Sequence, residues 1–92
     1  MPLSEQQRRE QRRLGHSLKP VVTVGNAGLS AAVLRELDLS LEHHELLKIK
    51  IAAAGREERV QLIERICTTT GAELVQAIGH MALIYRKRSE KV

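Results

Sequence analysis

The residues predict an α/β fold with a mixed sheet, in the order helix, strand, helix, strand, helix, strand, strand. Three observations predict it. Val33, Leu34, Leu37 and Leu41 recur at helical spacing. Leu47, Ile49 and Ile51 then alternate with Lys48 and Lys50, the two-residue repeat of a half-buried strand. Near the end, two short apolar runs meet at Gly79-His80, which fits a two-residue hairpin with glycine first, as in a type II′ turn. Alternating strands and helices argue for parallel neighbours joined by right-handed crossovers, and the closing hairpin makes the sheet mixed.

Each element has its own signal. Ser4 is placed to cap a first helix running to about Leu14, with Arg8, Arg9, Arg12 and Arg13 in pairs one turn apart and few apolar residues opposite. Such a helix packs weakly and presents a basic ridge. Pro20 starts a strand, where its missing N–H does little harm, and Val21 to Val24 is a β-branched run. Ser30 caps a second helix reaching about Leu41. The lysine-alternating strand ends by Gly55. A third helix spans roughly 57–70, with Val60, Ile63 and Cys67 on its apolar face and Leu62 and Ile66 widening it. Gly71 stands where a left-handed cap is wanted. The hairpin strands cover about 73–78 and 81–86.

At 92 residues the chain is one domain, 1–92, with a small core. That core is aliphatic: 13 Leu, 7 Val and 6 Ile stand against one Tyr and no Phe or Trp. Modules that bind single strands by stacking bases on aromatic rings are therefore disfavoured. Any RNA contact should run through backbone and shape. The net charge of +4 is unevenly spread. Residues 1–19 and 85–92 each carry +3, while 20–84 carry −2. Charge pushed to both ends suits a polyanion binder, or simply keeps a small protein soluble.

Cys67 is the only cysteine, so neither an internal disulfide nor a cysteine-based zinc site is expected. It reads as a buried inert thiol. No secretory leader or membrane-length apolar run is visible, and a reducing cytoplasm is the expected setting. His43, His44 and Glu45 invite a metal reading, but adjacent histidines on a regular element diverge and no His-Glu-x-x-His pattern exists. His16 reads as a packing or hydrogen-bonding residue beside the Lys19-Pro20 turn. Nucleophile-elbow, Walker A and dinucleotide fingerprints are absent. No catalytic residue, metal, cofactor or small-molecule substrate is expected.

The segment Val21-Val22-Thr23-Val24-Gly25-Asn26-Ala27-Gly28-Leu29-Ser30 joins a strand, a Gly-x-x-Gly turn and a capped helix start. Glycines let a ligand approach the backbone, and the helix N-terminus offers unpaired N–H groups and positive dipole to a phosphate. A Gly-x-x-Gly loop clamps the nucleic-acid backbone in KH-type modules. The alternative is a tight structural connection. Lys19 and the arginines of the first helix would supply long-range attraction. Lys48 and Lys50 share a strand face that either touches RNA or is solvated. Arg86, Lys87 and Arg88 follow the last strand as phosphate contacts or as a solvated tail.

The set of segments His16-Ser17-Leu18-Lys19-Pro20-Val21-Val22, Gly25-Asn26-Ala27-Gly28-Leu29-Ser30, His44-Glu45-Leu46-Leu47-Lys48-Ile49-Lys50, Gly71-Ala72-Glu73-Leu74-Val75-Gln76, Ile78-Gly79 and Leu83-Ile84-Tyr85-Arg86 resembles the CRM domain, the chloroplast RNA splicing and ribosome maturation family. It is most similar to the free-standing bacterial YhbY-type members, over nearly the whole chain. The resemblance implies a two-layer α/β fold with a four-stranded mixed sheet, like the carboxy-terminal domain of a bacterial translation initiation factor. It also implies RNA binding, in bacteria to precursors of the large ribosomal subunit. Two positions depart from the family pattern: Asn26 stands where a lysine is common, and Gly15 where alanine is frequent. The expected function is stoichiometric binding of ribosomal RNA during large-subunit assembly. A general RNA chaperone or intron-binding factor, and a protein adaptor docking through a sheet edge, are the alternatives.

Overall fold

The computed structural model describes residues 3–25, 28–53 and 55–88. Its elements are α1 (Glu5–Gly15), β1 (Val22–Val24), α2 (Ala31–His44), β2 (Leu46–Ile51), α3 (Arg56–Thr70), β3 (Glu73–Ile78) and β4 (Met81–Tyr85). Helix α1 begins with a reciprocal cap: Ser4 Oγ accepts from Gln7 N–H, and Gln7 Oε1 accepts from Ser4 N–H. At α2, Ser30 Oγ accepts from Val33 N–H at 3.1 Å. This helix runs on past Leu41 to His44 and stops at Glu45, whose φ of +66° a β-carbon disfavours. Gly71 closes α3 with φ +76°.

The sheet order is β1-β2-β4-β3, with β1 parallel to β2 and the other pairs antiparallel. The β3–β4 turn has positive φ at Gly79 and not at His80, as a type II′ turn requires. Strand β4 threads between β2 and β3, so Ala82, Leu83 and Ile84 are all buried. A bulge at Val75 separates the pairs Leu74↔Ile84 and Gln76↔Leu83. The extra residue reverses the alternation of β3 and sets Gln76 and Ile78 on the same face as Leu83 and Met81.

One face of the sheet carries the core. Val22, Val24, Leu47, Ile49, Ile51, Ala82 and Ile84 meet Leu37 and Leu41 of α2 and Ile63 and Ile66 of α3. These side chains are nearly or wholly removed from water, and each Val, Leu or Ile among them stabilises by about 1.5–3 kcal/mol. The four-stranded sheet and the α2–α3 layer make the two-layer α/β body. Helix α1 lies across the opposite face, on β2, β3 and β4.

Val60 is a correction to the expected core: it is 47% exposed, whereas Ile66 is fully buried. The buried line of α3 runs through Ile63, Ile66 and Thr70. Val60 stands about a quarter turn off it, at 3.6 residues per turn. Among the described residues no helix is long and apolar enough to cross a membrane.

Candidate nucleic-acid interface

The Gly-x-x-Gly loop leaves the end of β1, at the edge of the sheet where both α2 and α3 begin. Gly28 N–H donates to Gly25 O at 3.0 Å and closes the turn, with Gly28 at φ +84°. That conformation calls for glycine at 28. Gly25 has no such φ, and among the described residues nothing stands within 4 Å of a β-carbon built on it. Among the described residues, then, nothing demands glycine at 25. Asn26 and Ala27 lie outside the described residues.

Backbone hydrogen bonds tie the loop end together. Ala52 N–H donates to Val24 O at 2.8 Å, and Ile51 N–H to His80 O at 2.7 Å. The His80 ring Nδ1 lies 2.9 Å from Ile51 O, which holds the hairpin tip beside the exit of β2. The first turn of α2 carries no acidic side chain, so its dipole is not neutralised from within. The first turn of α3 does, with Glu57 and Glu58. Between the loop and α3 lies an open hollow of about 420 Å³ lined by Gly25, Gly28, Ala53, Glu58, Gln61, Leu62 and Arg65. Arg65 and Gln61 were missed from sequence. Their one signal is a polar i, i+3, i+7 stripe through Glu58, Gln61 and Arg65, common to any solvated helix face.

On the α1 side of the sheet the register builds rows across the strands. Leu46, Tyr85 and Glu73 form one, Lys48, Leu83 and Gln76 the next, and Thr23, Lys50, Met81 and Ile78 the third. Helix α1 covers Leu83 but ends at Gly15, and the third row, nearest the loop, stays open: Thr23, Lys50 and Ile78 are exposed. Lys48 is half-buried beside His16 in the hollow at the end of α1. The strand lysines thus differ in setting, and Lys50 is the one near the loop.

The remaining basic candidates do not converge on the loop. Lys19 precedes β1 and sits at the opposite end of the sheet, beside His44, Glu45 and Tyr85. Arg8 is not part of a free ridge. Its guanidinium donates to the Leu74 carbonyl and pairs with Glu73, tethering α1 to β3. Arg13 pairs with Glu10, whose hydrogen bond and charge raise the arginine pKa further. Arg9 is exposed and Arg12 half-buried.

Arg86 is likewise structural. It donates to Asp38 Oδ1, to Thr70 O at 2.8 Å, to Asp38 O at 3.0 Å and to Glu42 Oε2 at 3.3 Å. Arg88 donates to the Glu42 and His43 carbonyls at the C-terminus of α2, while its N–H donates to Glu45 Oε2. Sequence could not show these ties, because the acceptors lie tens of residues away. Lys87 is exposed between them.

His43 and His44 do not diverge as expected: their rings meet edge to face with centroids 4.5 Å apart. Among the described residues no group of three His, Cys, Asp or Glu side chains is placed to hold a metal. Burial pushes the Cys67 thiol pKa up, with the Glu73 charge adding to it, so the thiolate needed for nucleophilic chemistry is disfavoured.

The CRS1/YhbY (CRM) domain profile matches residues 3–86. A probable RNA-binding protein of Pseudomonas aeruginosa is 45% identical over 87 residues, spanning 95% of this chain and 84% of the relative. An RNA-binding protein of Haemophilus influenzae is 43% identical over 88 residues, spanning 96% of this chain and 89% of the relative. A solution structure from Staphylococcus aureus, of a protein suspected to bind RNA, superposes with a TM-score of 0.84 at 32% identity, covering 99% of this chain and 95% of the other. With its profile matched across nearly every described residue and these relatives aligned over most of their length, the chain belongs to the CRS1/YhbY (CRM) domain family.

Proposed function

We propose that this protein binds RNA, holding a phosphate at the Gly25–Gly28 loop and the N-terminus of α2, and that its RNA is ribosomal, in precursors of the large subunit. The observation that carries the reading is Gly25. Among the described residues nothing gives a steric or conformational reason for glycine there, and a missing β-carbon leaves the backbone open to something that approaches from outside. A phosphate suits the place, because the first turn of α2 carries no acidic side chain and Arg65 stands nearby, with the single Glu58 carboxylate of the hollow opposing them. The names of the relatives support RNA as the partner. Glycine and arginine contacts to phosphate carry little base information, so selectivity at the loop comes from RNA shape. Docking through the β3 edge is the weaker reading: the bulge at Val75 interrupts the ladder and Arg8 occupies the Leu74 carbonyl.

The test is Gly25→Asp. Open space and an ordinary φ mean that the variant should melt like the wild type. A carboxylate facing phosphate in a partly desolvated contact costs about 2 kcal/mol, roughly thirtyfold in affinity. The variant should stay folded yet fail to travel with large-subunit precursors on a gradient. Co-sedimentation equal to wild type would make the loop a structural turn only.

A further inference from the structure

Gln11 and Leu14 of α1 border a groove of about 590 Å³ at the end of the sheet opposite the Gly-x-x-Gly loop. Its apolar walls include Leu14 and Leu18, exposed by 46% and 37% although both are large aliphatic side chains. Tyr85 lines it, and also lines the adjoining hollow under the first half of α1. Polar groups converge on the same space: Gln11, Lys19, His44, Glu45 and Lys48 border it, the Glu45 carboxylate already accepts from Arg88 N–H, and among the described residues neither Gln11, the two lysines nor the Tyr85 hydroxyl has a hydrogen-bond or ion-pair partner. Apolar walls with a few unpartnered polar groups describe a ligand pocket, and the volume falls in the range of small-molecule sites, about 300–1,000 Å³.

We propose that this groove is a nucleobase pocket, in which one unpaired RNA base lies against Tyr85 while Lys19 and Lys48 hold the adjoining phosphates. The proposal rests on the RNA-binding reading above and adds a base-reading contact to it. An aromatic ring and apolar walls suit a base face. The Gln11 amide, with both a donor and an acceptor, suits a base edge. Two lysines suit the flanking phosphates, whereas an apolar protein helix would leave them buried and unpaired. The chain's only aromatic side chain is thereby used for stacking, contrary to what its composition suggests.

With one Tyr and no Trp, the intrinsic emission of the protein reports on Tyr85 alone. The probes are a short oligoadenylate and an abasic ribose-phosphate chain of the same length, with a large-subunit RNA fragment as reference. Oligoadenylate should quench the tyrosine emission and the abasic chain should not. Tyr85→Leu should weaken oligoadenylate binding about tenfold and leave the abasic chain unchanged. Should that variant fail to fold, quenching of the wild type decides alone. Oligoadenylate bound without quenching, or not bound while the RNA fragment binds, overturns the pocket and leaves the groove to a protein partner. Binding of none of the three overturns the RNA reading as well.

Discussion

A β-carbon built on Gly15 stands 2.3 Å from Cδ2 of Leu83 and 2.6 Å from its Cδ1. The end of α1 is therefore pressed onto the centre of the sheet. Leu83 is only 4% exposed, so relieving the clash means moving a packed side chain. Gly15→Ala should lower stability by about 1 kcal/mol, because overpacking outweighs the helix propensity alanine adds. Leu83→Ala alone should cost about 2–3 kcal/mol. In the double variant the clash is gone, so it should be more stable than Leu83→Ala. Chemical denaturation of all four proteins measures the coupling, and a neutral or stabilising Gly15→Ala would show that Leu83 yields freely.

Arg86 should behave as a structural residue. Its side chain is 18% exposed and serves acceptors on α2 and at the end of α3. Arg86→Gln should cost about 1–2 kcal/mol, since the Thr70 carbonyl and Glu42 carboxylate, both partly buried, lose a charged donor. Arg86→Lys should recover only part, as an ammonium lacks the planar fork. Well below the melting temperature, RNA affinity should stay within about threefold of wild type for both. A larger loss in a folded variant would return Arg86 to the RNA contacts.

Arg8 and Arg9, neighbours in sequence, should separate cleanly. Arg8→Gln removes a tether whose partners are only about a quarter exposed, and should lower stability by about 1 kcal/mol after allowance for screening. Arg9→Gln should change stability by less than about 0.5 kcal/mol. If the α1 surface touches RNA, only Arg9→Gln should weaken binding without moving the melting curve. Equal melting curves for the two would show that the Arg8–Glu73 pair contributes nothing measurable.

The salt response should be moderate. Among the described residues Arg9, Lys19, Lys50 and Lys87 are exposed cations without an ion pair, while Arg8, Arg13 and Arg86 are engaged. With about four phosphate contacts, affinity should fall about a hundredfold between 50 and 200 mM salt. A flat response in a filter-binding titration would remove the electrostatic mechanism and favour a protein partner.

Much of the fold was legible because it rests on local chemistry. Ser4 and Ser30 cap helices through bonds made within three residues. The alternation of Leu47, Ile49 and Ile51 with two lysines names the buried face of β2 without any partner strand. The loop glycines were legible for the same reason. The fate of the arginines was not. Whether Arg8, Arg86 and Arg88 face RNA or the protein depends on acceptors 16 to 66 residues distant, and a guanidinium reads identically in sequence either way.

By itself, then, the sequence determined the elements, their order and the Gly-x-x-Gly turn, all governed by backbone preference and hydrophobic period over a few residues. Tertiary structure alone decided the sheet order, the bulge at Val75 and the side on which α1 lies. Those depend on which surfaces meet once the chain collapses. They place Lys50 near the loop, Lys19 and Tyr85 at the far end, and the C-terminal arginines against α2. Charge counted along the chain cannot show that its carriers lie on different sides of the molecule, because direction in space is set by packing.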